Sequence, residues 1–193
     1  SMSENQVTVD GVSHPLPQPF LVIATQNPVE HHGTYPLPES QMDRFLMRVK
    51  MGYPEAGSER EILRATAGAA RLDELTSVLT GADVLAMQAD VEKVRVDDAL
   101  LDYALAIVAK TRDSEYLALG VSPRGSLMLY RAAQAMAYVE GRNFCTPSDF
   151  KTLAVPVFAH RVVVDARYSS NMKKSEQSDQ LLRDLIESVA VPV

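Results

Sequence analysis

Cysteine is almost absent from this chain. Cys145 stands alone among 193 residues, so no internal disulfide can form, which suits the cytosol. Long apolar runs are missing too. No stretch approaches the ~18 apolar residues of a membrane span, although 46% of the residues are hydrophobic, an ordinary share for a globular protein. No basic start, apolar stretch and small-residue cleavage site mark a secretory signal. Basic residues number 19 against 25 acidic ones, for a net charge of −6, a poor basis for general nucleic-acid binding. These features read as a soluble, cytoplasmic protein. Two chemical motifs are also missing. None of the six lysines follows a glycine, so there is no GxxxxGKS/T phosphate-binding loop. No apolar strand ends in adjacent acids able to hold Mg²⁺; Asp73-Glu74 follows Ala70-Arg71-Leu72 and reads as helix.

The length allows one medium domain, or a small one with part of another. Gln6-Val7-Thr8-Val9 alternates polar and apolar residues, Asp10-Gly11 is a turn signal, and Val12-Ser13-His14-Pro15 returns, so a hairpin is expected. Pro15, Pro17 and Pro19 make the return arm an edge or an extended connection. Phe20-Leu21-Val22-Ile23-Ala24 then forms a dense apolar run that stops at Thr25-Gln26-Asn27-Pro28. A run without alternation predicts a strand buried on both faces, as in a parallel sheet. Pro36 and Pro38 precede a short helix expected near Glu39–Phe45, and Gly52-Tyr53-Pro54 breaks the pattern. The domain boundary is placed there, giving residues 1–53 and 54–193.

Beyond that boundary the chain reads as helical. Ser58-Glu59-Arg60-Glu61 is a capping box for a helix toward Thr66. Thr80-Gly81-Ala82-Asp83 opens a second helix, to about Lys93. Asp97 caps a third with Leu100, Leu101, Ala104, Leu105 and Val108 on one face. Ser122-Pro123 starts a fourth that ends at Gly141; Leu127, Leu129, Tyr130, Ala133, Met136 and Ala137 make it apolar nearly all round, so it should be central. Thr146-Pro147-Ser148-Asp149 opens a fifth. Residues Asp165–Asp179 read as a polar loop, and Gln180–Val189 as a last amphipathic helix.

Three residues invite a chemical role. Asn27 would lie beyond the carboxyl end of the apolar strand, where open α/β sheets bind ligands. Its amide can donate to a γ-phosphate and accept from an attacking water; the plain alternative is a turn-forming Asn before proline. Arg124 follows Ser122-Pro123 in the first turn of a helix, where a cation opposes the helix dipole by roughly 0.3–1 kcal/mol. A phosphate bound by the free amides of that helix end would explain the choice; the alternative is an arginine packed along a neighbouring helix. Arg44, in Glu39-Ser40-Gln41-Met42-Asp43-Arg44-Phe45, has a bland account as a surface arginine paired with Asp43 or Glu39. The adjacent His31 and His32 lack a complete set of metal ligands around them, so no metal site is assigned.

The run ending in Ala24-Thr25-Gln26-Asn27-Pro28, followed by Gly33-Thr34-Tyr35-Pro36-Leu37-Pro38-Glu39 and Asp43-Arg44-Phe45, resembles the MoxR family of AAA+ ATPases. The resemblance extends over Ser122-Pro123-Arg124-Gly125 and Phe158-Ala159-His160-Arg161. It implies a mostly α fold: a remnant of an α/β P-loop AAA+ core (hairpin plus one buried strand) followed by an all-helical lid domain. It makes Asn27 the sensor 1 residue, Arg44 an arginine finger acting in trans, and Arg124 the sensor 2 residue on an ATP phosphate. The family commonly has an acid where His32 stands, and for His160 packing at a helix end is expected. With Walker A and B motifs missing, the chain is expected to be a C-terminal segment of a longer ATPase, unable alone to bind ATP and Mg²⁺ tightly or to hydrolyse ATP. For the parent the resemblance implies ATP hydrolysis in a homo-oligomeric ring, expected to be a hexamer. It also implies chaperone-like remodelling of protein clients, including von Willebrand factor A domain proteins. The alternative is a non-catalytic helical protein-interaction module. A DNA-binding reading, in which Ser122–Phe150 imitates a helix-turn-helix, fits poorly with the acidic balance.

Overall fold

Asp10-Gly11 closes a hairpin between β1 (Gln6–Val9) and β2 (Val12–Pro15), with Val9 opposite Val12 and Gln6 opposite Pro15. Both turn residues have positive φ, 51° and 79°, the geometry that favours Asp-Gly in a two-residue hairpin loop. The computed structural model describes residues 6–26, 37–65, 75–168 and 174–192. The apolar run after the hairpin departs from expectation. Residues 20–26 form no strand, and Leu21 and Ile23 are 78% and 80% exposed. A doubly buried strand needs a neighbour on each side, and no described segment pairs with this one. Asn27, His31, His32, Asp73 and Glu74 lie outside the described residues.

The short helix α1 (Glu39–Met42) runs into a turn in which the Arg44 and Phe45 amides donate to Gln41 and Met42 carbonyls, each at 3.1 Å. Helix α2 (Ala56–Ala65) starts ahead of the expected box, so Ser58 lies inside the first turn rather than capping it. The remaining helices follow their local signals more closely. Thr80 caps α3 (Gly81–Val91) in a reciprocal box with Asp83, and Asp97 caps α4 (Asp98–Arg112) through Ala99 N at 2.9 Å. Ser122 caps α5 (Pro123–Val139), with proline in the first turn. At its far end Gly141 takes φ +76°, and the Arg142 and Gly141 amides donate back to Ala137 and Tyr138 carbonyls at 2.8 and 2.9 Å. That pair of bonds is the Schellman closure that glycine permits.

Helix α6 (Pro147–Phe158) packs along α5, and α4 and α7 (Lys174–Glu187) close the other sides of the core. Its centre is Ile107, Val108, Leu129, Phe150, Val157, Phe158 and Leu182, all fully buried. A small antiparallel sheet of β3 (Leu117–Leu119) and β4 (Val163–Val164) ties the segment after α4 to the segment after α6.

Three expectations about these helices need correction. The buried face of α4 is Leu100, Tyr103, Ala104, Ile107, Val108 and Thr111, which leaves Leu105 exposed on the flank. Leu127 and Val139 of α5 are exposed too, because its neighbours cover one broad side rather than the whole circumference. The third concerns α7, which begins at Lys174 within the stretch expected to be a loop. Asp179 in its second turn is buried against Arg48 and Lys50, the latter at 2.6 Å, so this acid has partners instead of solvent.

The approach to α5 is tightly held. The Val121 amide donates to Thr111 Oγ1 at 3.0 Å, Thr111 Oγ1 donates to Val108 O at 2.7 Å, and Arg112 Nε donates to Val121 O at 2.9 Å. A Cβ on Gly120 would lie 2.7 Å from the Thr111 carbonyl oxygen and 2.8 Å from Arg112 Cα. Both are backbone atoms of the last turn of α4, so neither can step aside. Gly120→Ala should therefore cost about 1–3 kcal/mol, as overpacking does, and lower the thermal midpoint by several degrees. An unchanged midpoint would show that this loop is not docked on α4.

Candidate functional site

The first turn of α5 contains Arg124 and no acid. Ser122 takes an extended conformation there (φ −71°, ψ 162°), and its Oγ accepts from the Gly125 amide at 3.3 Å. The same hydroxyl donates to Asp43 Oδ1 at 2.9 Å. The other oxygen of Asp43 lies 3.8 Å from Arg124 Nη1. A carboxylate from the turn after α1 therefore sits at the start of α5, where the helix dipole favours negative charge. Arg124 keeps 41% of its side chain exposed, so its long, hydrated contact with Asp43 is worth about 0–1 kcal/mol. It is free to exchange partners.

Arg161 is the opposite case. It follows α6, and its side chain is 0% exposed. Nη1 donates to the carbonyls of Leu46 (3.4 Å) and Val157, and Nη2 to those of Asp43 (3.1 Å) and Phe45. Nε stands 3.3 Å from Asp43 Oδ1 as an ion-pair contact, without the alignment of a hydrogen bond. The Arg48 amide adds a bond to Pro156 O at 2.9 Å. Residues 43–48, placed ahead of the expected boundary, thus pack directly on helices placed after it.

Arg44 lies inside this anchored turn with its side chain exposed, and no ion pair engages it among the described residues. Asp43, its expected partner, faces α5 and Arg161 instead. Sequence reasoning missed Asp43 and Arg161. The available signal was a polar pair, His160-Arg161, inside the apolar stretch Val155–Val164, where an arginine is buried only if it finds acceptors. No group of three or more His, Cys, Asp or Glu able to hold a metal occurs among the described residues.

His160 shares the site. Its Nε2 faces both the Phe45 carbonyl, at 3.1 Å, and Arg161 Nη1. One asks for a donor and the other for an acceptor, so a single neutral tautomer satisfies only one of them. Nδ1 is buried with no partner. Burial, and then the Arg161 charge, push the ring pKa down to about 4 from its ordinary 6.5. Because the folded value lies below the unfolded one, the unfolded chain takes up the proton first as pH falls. This contribution to stability is complete above pH ~6.5 and is lost toward pH ~4, by up to about 1.4 kcal/mol per unit. The thermal midpoint of the native chain should fall more steeply from pH 7 to pH 5 than that of His160→Gln. Parallel curves would place His160 in water.

Comparison with known proteins identifies the family. Residues 1–47 match the model of the ATPase family associated with various cellular activities (AAA), and residues 109–185 match that of the AAA lid domain. The chain is 40% identical over its full length to YeaC of Bacillus subtilis, an uncharacterised protein, and spans 59% of it. It is 40% identical over 84% of its length to the chaperone MoxR1 of Mycobacterium tuberculosis, covering 45% of that protein. A crystal structure of a protein described as a putative ATPase, from Cytophaga hutchinsonii, matches the whole chain with a TM-score of 0.87 at 31% identity, and 60% of that chain is covered. The chain thus spans roughly half of the relatives it matches. With the Arg124 helix end, the anchored Asp43-Arg44 turn and the helical lid behind them, it belongs to the MoxR family of AAA+ ATPases.

Proposed function

We propose that this chain furnishes the sensor and lid half of an ATP site, working within a full-length ring that hydrolyses ATP to remodel client proteins. The observation that carries the reading is the placement of two arginines on either side of Asp43. Arg124 stands at a helix start with only a weak, exchangeable carboxylate partner. Arg44 projects from an anchored turn into solvent. In this reading Arg124, with the amides of the first turn of α5, holds a phosphate of the subunit's own nucleotide. Arg44 crosses to the neighbouring subunit, where its planar, permanently charged fork stabilises charge on the phosphoryl group in flight. Asn27 would position the attacking water. Mg²⁺, expected with ATP in the full-length protein, finds no carboxylate cluster among the described residues.

Residues 20–24 fit the same proposal. Their exposed apolar side chains suit a strand that joins further parallel strands of an AAA+ core. Chaperone-like work on protein clients follows from similarity to a relative named as a chaperone. A hexameric ring and clients bearing von Willebrand factor A domains rest on the family resemblance alone. A purely helical interaction module would leave both arginines without a task. No described helix is long and apolar enough to cross a membrane.

Arg44→Ala in the full-length protein should lower ATP turnover by roughly a thousandfold, the size of an arginine-finger effect, while nucleotide affinity stays close to that of the native protein. Mixing it with a phosphate-loop variant should restore part of the activity, because some interfaces then pair an intact site with an intact finger. Native turnover in Arg44→Ala rings would sink the proposal.

A further inference from the structure

We infer that Arg161 is a positioning residue for Arg44: it fixes the backbone of the turn that presents the finger and registers that turn against the first turn of α5. This rests on Arg44 acting in trans, as proposed above. Three carbonyls of one short turn, those of Asp43, Phe45 and Leu46, end on a single buried guanidinium. Asp43 and Phe45 are the neighbours of Arg44 on both sides, so the finger's own backbone has little freedom left. Its side chain, by contrast, is exposed.

Burying a cation is costly and contributes little to stability compared with an apolar packing of the same volume. What a guanidinium supplies is a rigid fork with five donors, able to meet several carbonyls at once. Helix α5 touches the same side chain. A Cβ on Gly125 would lie 3.1 Å from Arg161 Cδ and 2.5 Å from Val121 Cγ1, so the glycine lets the turn bearing Arg124 rest on the Arg161 stem. Asp43 completes the link through Ser122 Oγ at 2.9 Å and Arg161 Nε at 3.3 Å. One buried residue therefore touches both elements that the proposed chemistry uses, and contacts no position assigned to nucleotide itself. A finger displaced by about 1 Å can lose on the order of 10²-fold in rate.

The test uses the full-length protein with Arg161→Lys, which keeps the charge but loses the fork, and Arg161→Gln, which loses the charge. Each is measured alone and combined with Arg44→Ala. Arg161→Lys should lower kcat by about tenfold or more, with KM for ATP unchanged and faster amide exchange confined to residues 44–47. Added to Arg44→Ala it should do nothing further, because its effect passes through Arg44. If the lysine variant does not fold, the uncharged glutamine variant carries the same comparison. Native kcat in a folded Arg161 variant, or the same fold-loss of kcat with and without Arg44, would overturn the inference and leave the finger reading standing. Native kcat in Arg44→Ala would remove the finger reading and this inference with it.

Discussion

The guanidinium of Arg161 must find acceptors, and everything at this site follows from where it finds them. Stripped of water, a charged group of this size is tolerated only when its donors are met. One acceptor, the Val157 carbonyl, is local; the others come from the turn at residues 43–46, 118 positions earlier in the chain for Asp43. Satisfying the cation thus draws the segment after α1 onto the end of α6. The Arg48 amide on Pro156 and the Arg48–Lys50 pair on buried Asp179 extend the same contact along α6 and α7. These bonds, together with Met47 packed against the core, hold the segment on the helical body.

Asp43 makes the junction more than a hinge. Its carboxylate is shared among a buried arginine, a capping serine and an exposed arginine. The three partners differ in how firmly they hold. Arg161 is fully buried and Ser122 half-buried, both closer to the carboxylate than Arg124, which lies at 3.8 Å with 41% of its side chain exposed. An incoming phosphate would compete for Arg124 alone, since the other two contacts are shorter and drier. The site can therefore gain a ligand at the start of α5 without releasing the turn next to Arg44.

Much of the helical body was legible in the sequence because its signals are local. Thr80 with Asp83, Asp97, Ser122-Pro123 and Gly141 act within one helical turn, and each marks a boundary that the structure keeps. Side-chain faces were less legible. Leu105 and Leu127 carry the right chemistry for burial, yet no element among the described residues covers them. The expected doubly buried strand at residues 20–24 failed for a related reason: apolar content shows what a segment could bury, not which partners its chain supplies. Asp179 and Arg161 went unread because their partners are far away in sequence, and a polar residue with an unseen partner looks like a surface residue. The position of Arg124 in the first turn of α5 followed from local pattern; Arg44, expected inside a helix, lies in the turn after α1, and the acid between them went unread.

The central claim is that Arg44 and Arg124 serve different nucleotide sites while sharing one anchored junction. A structure of the assembled full-length protein with a non-hydrolysable ATP analogue tests it most directly. The account requires the Arg44 guanidinium against the γ-phosphate in the neighbouring subunit and Arg124 against a phosphate in its own. Arg161 should still hold the carbonyls of Asp43 and Phe45. Arg44 left in solvent at the assembled interface, or a nucleotide bound with Arg124 still resting on Asp43, would contradict it.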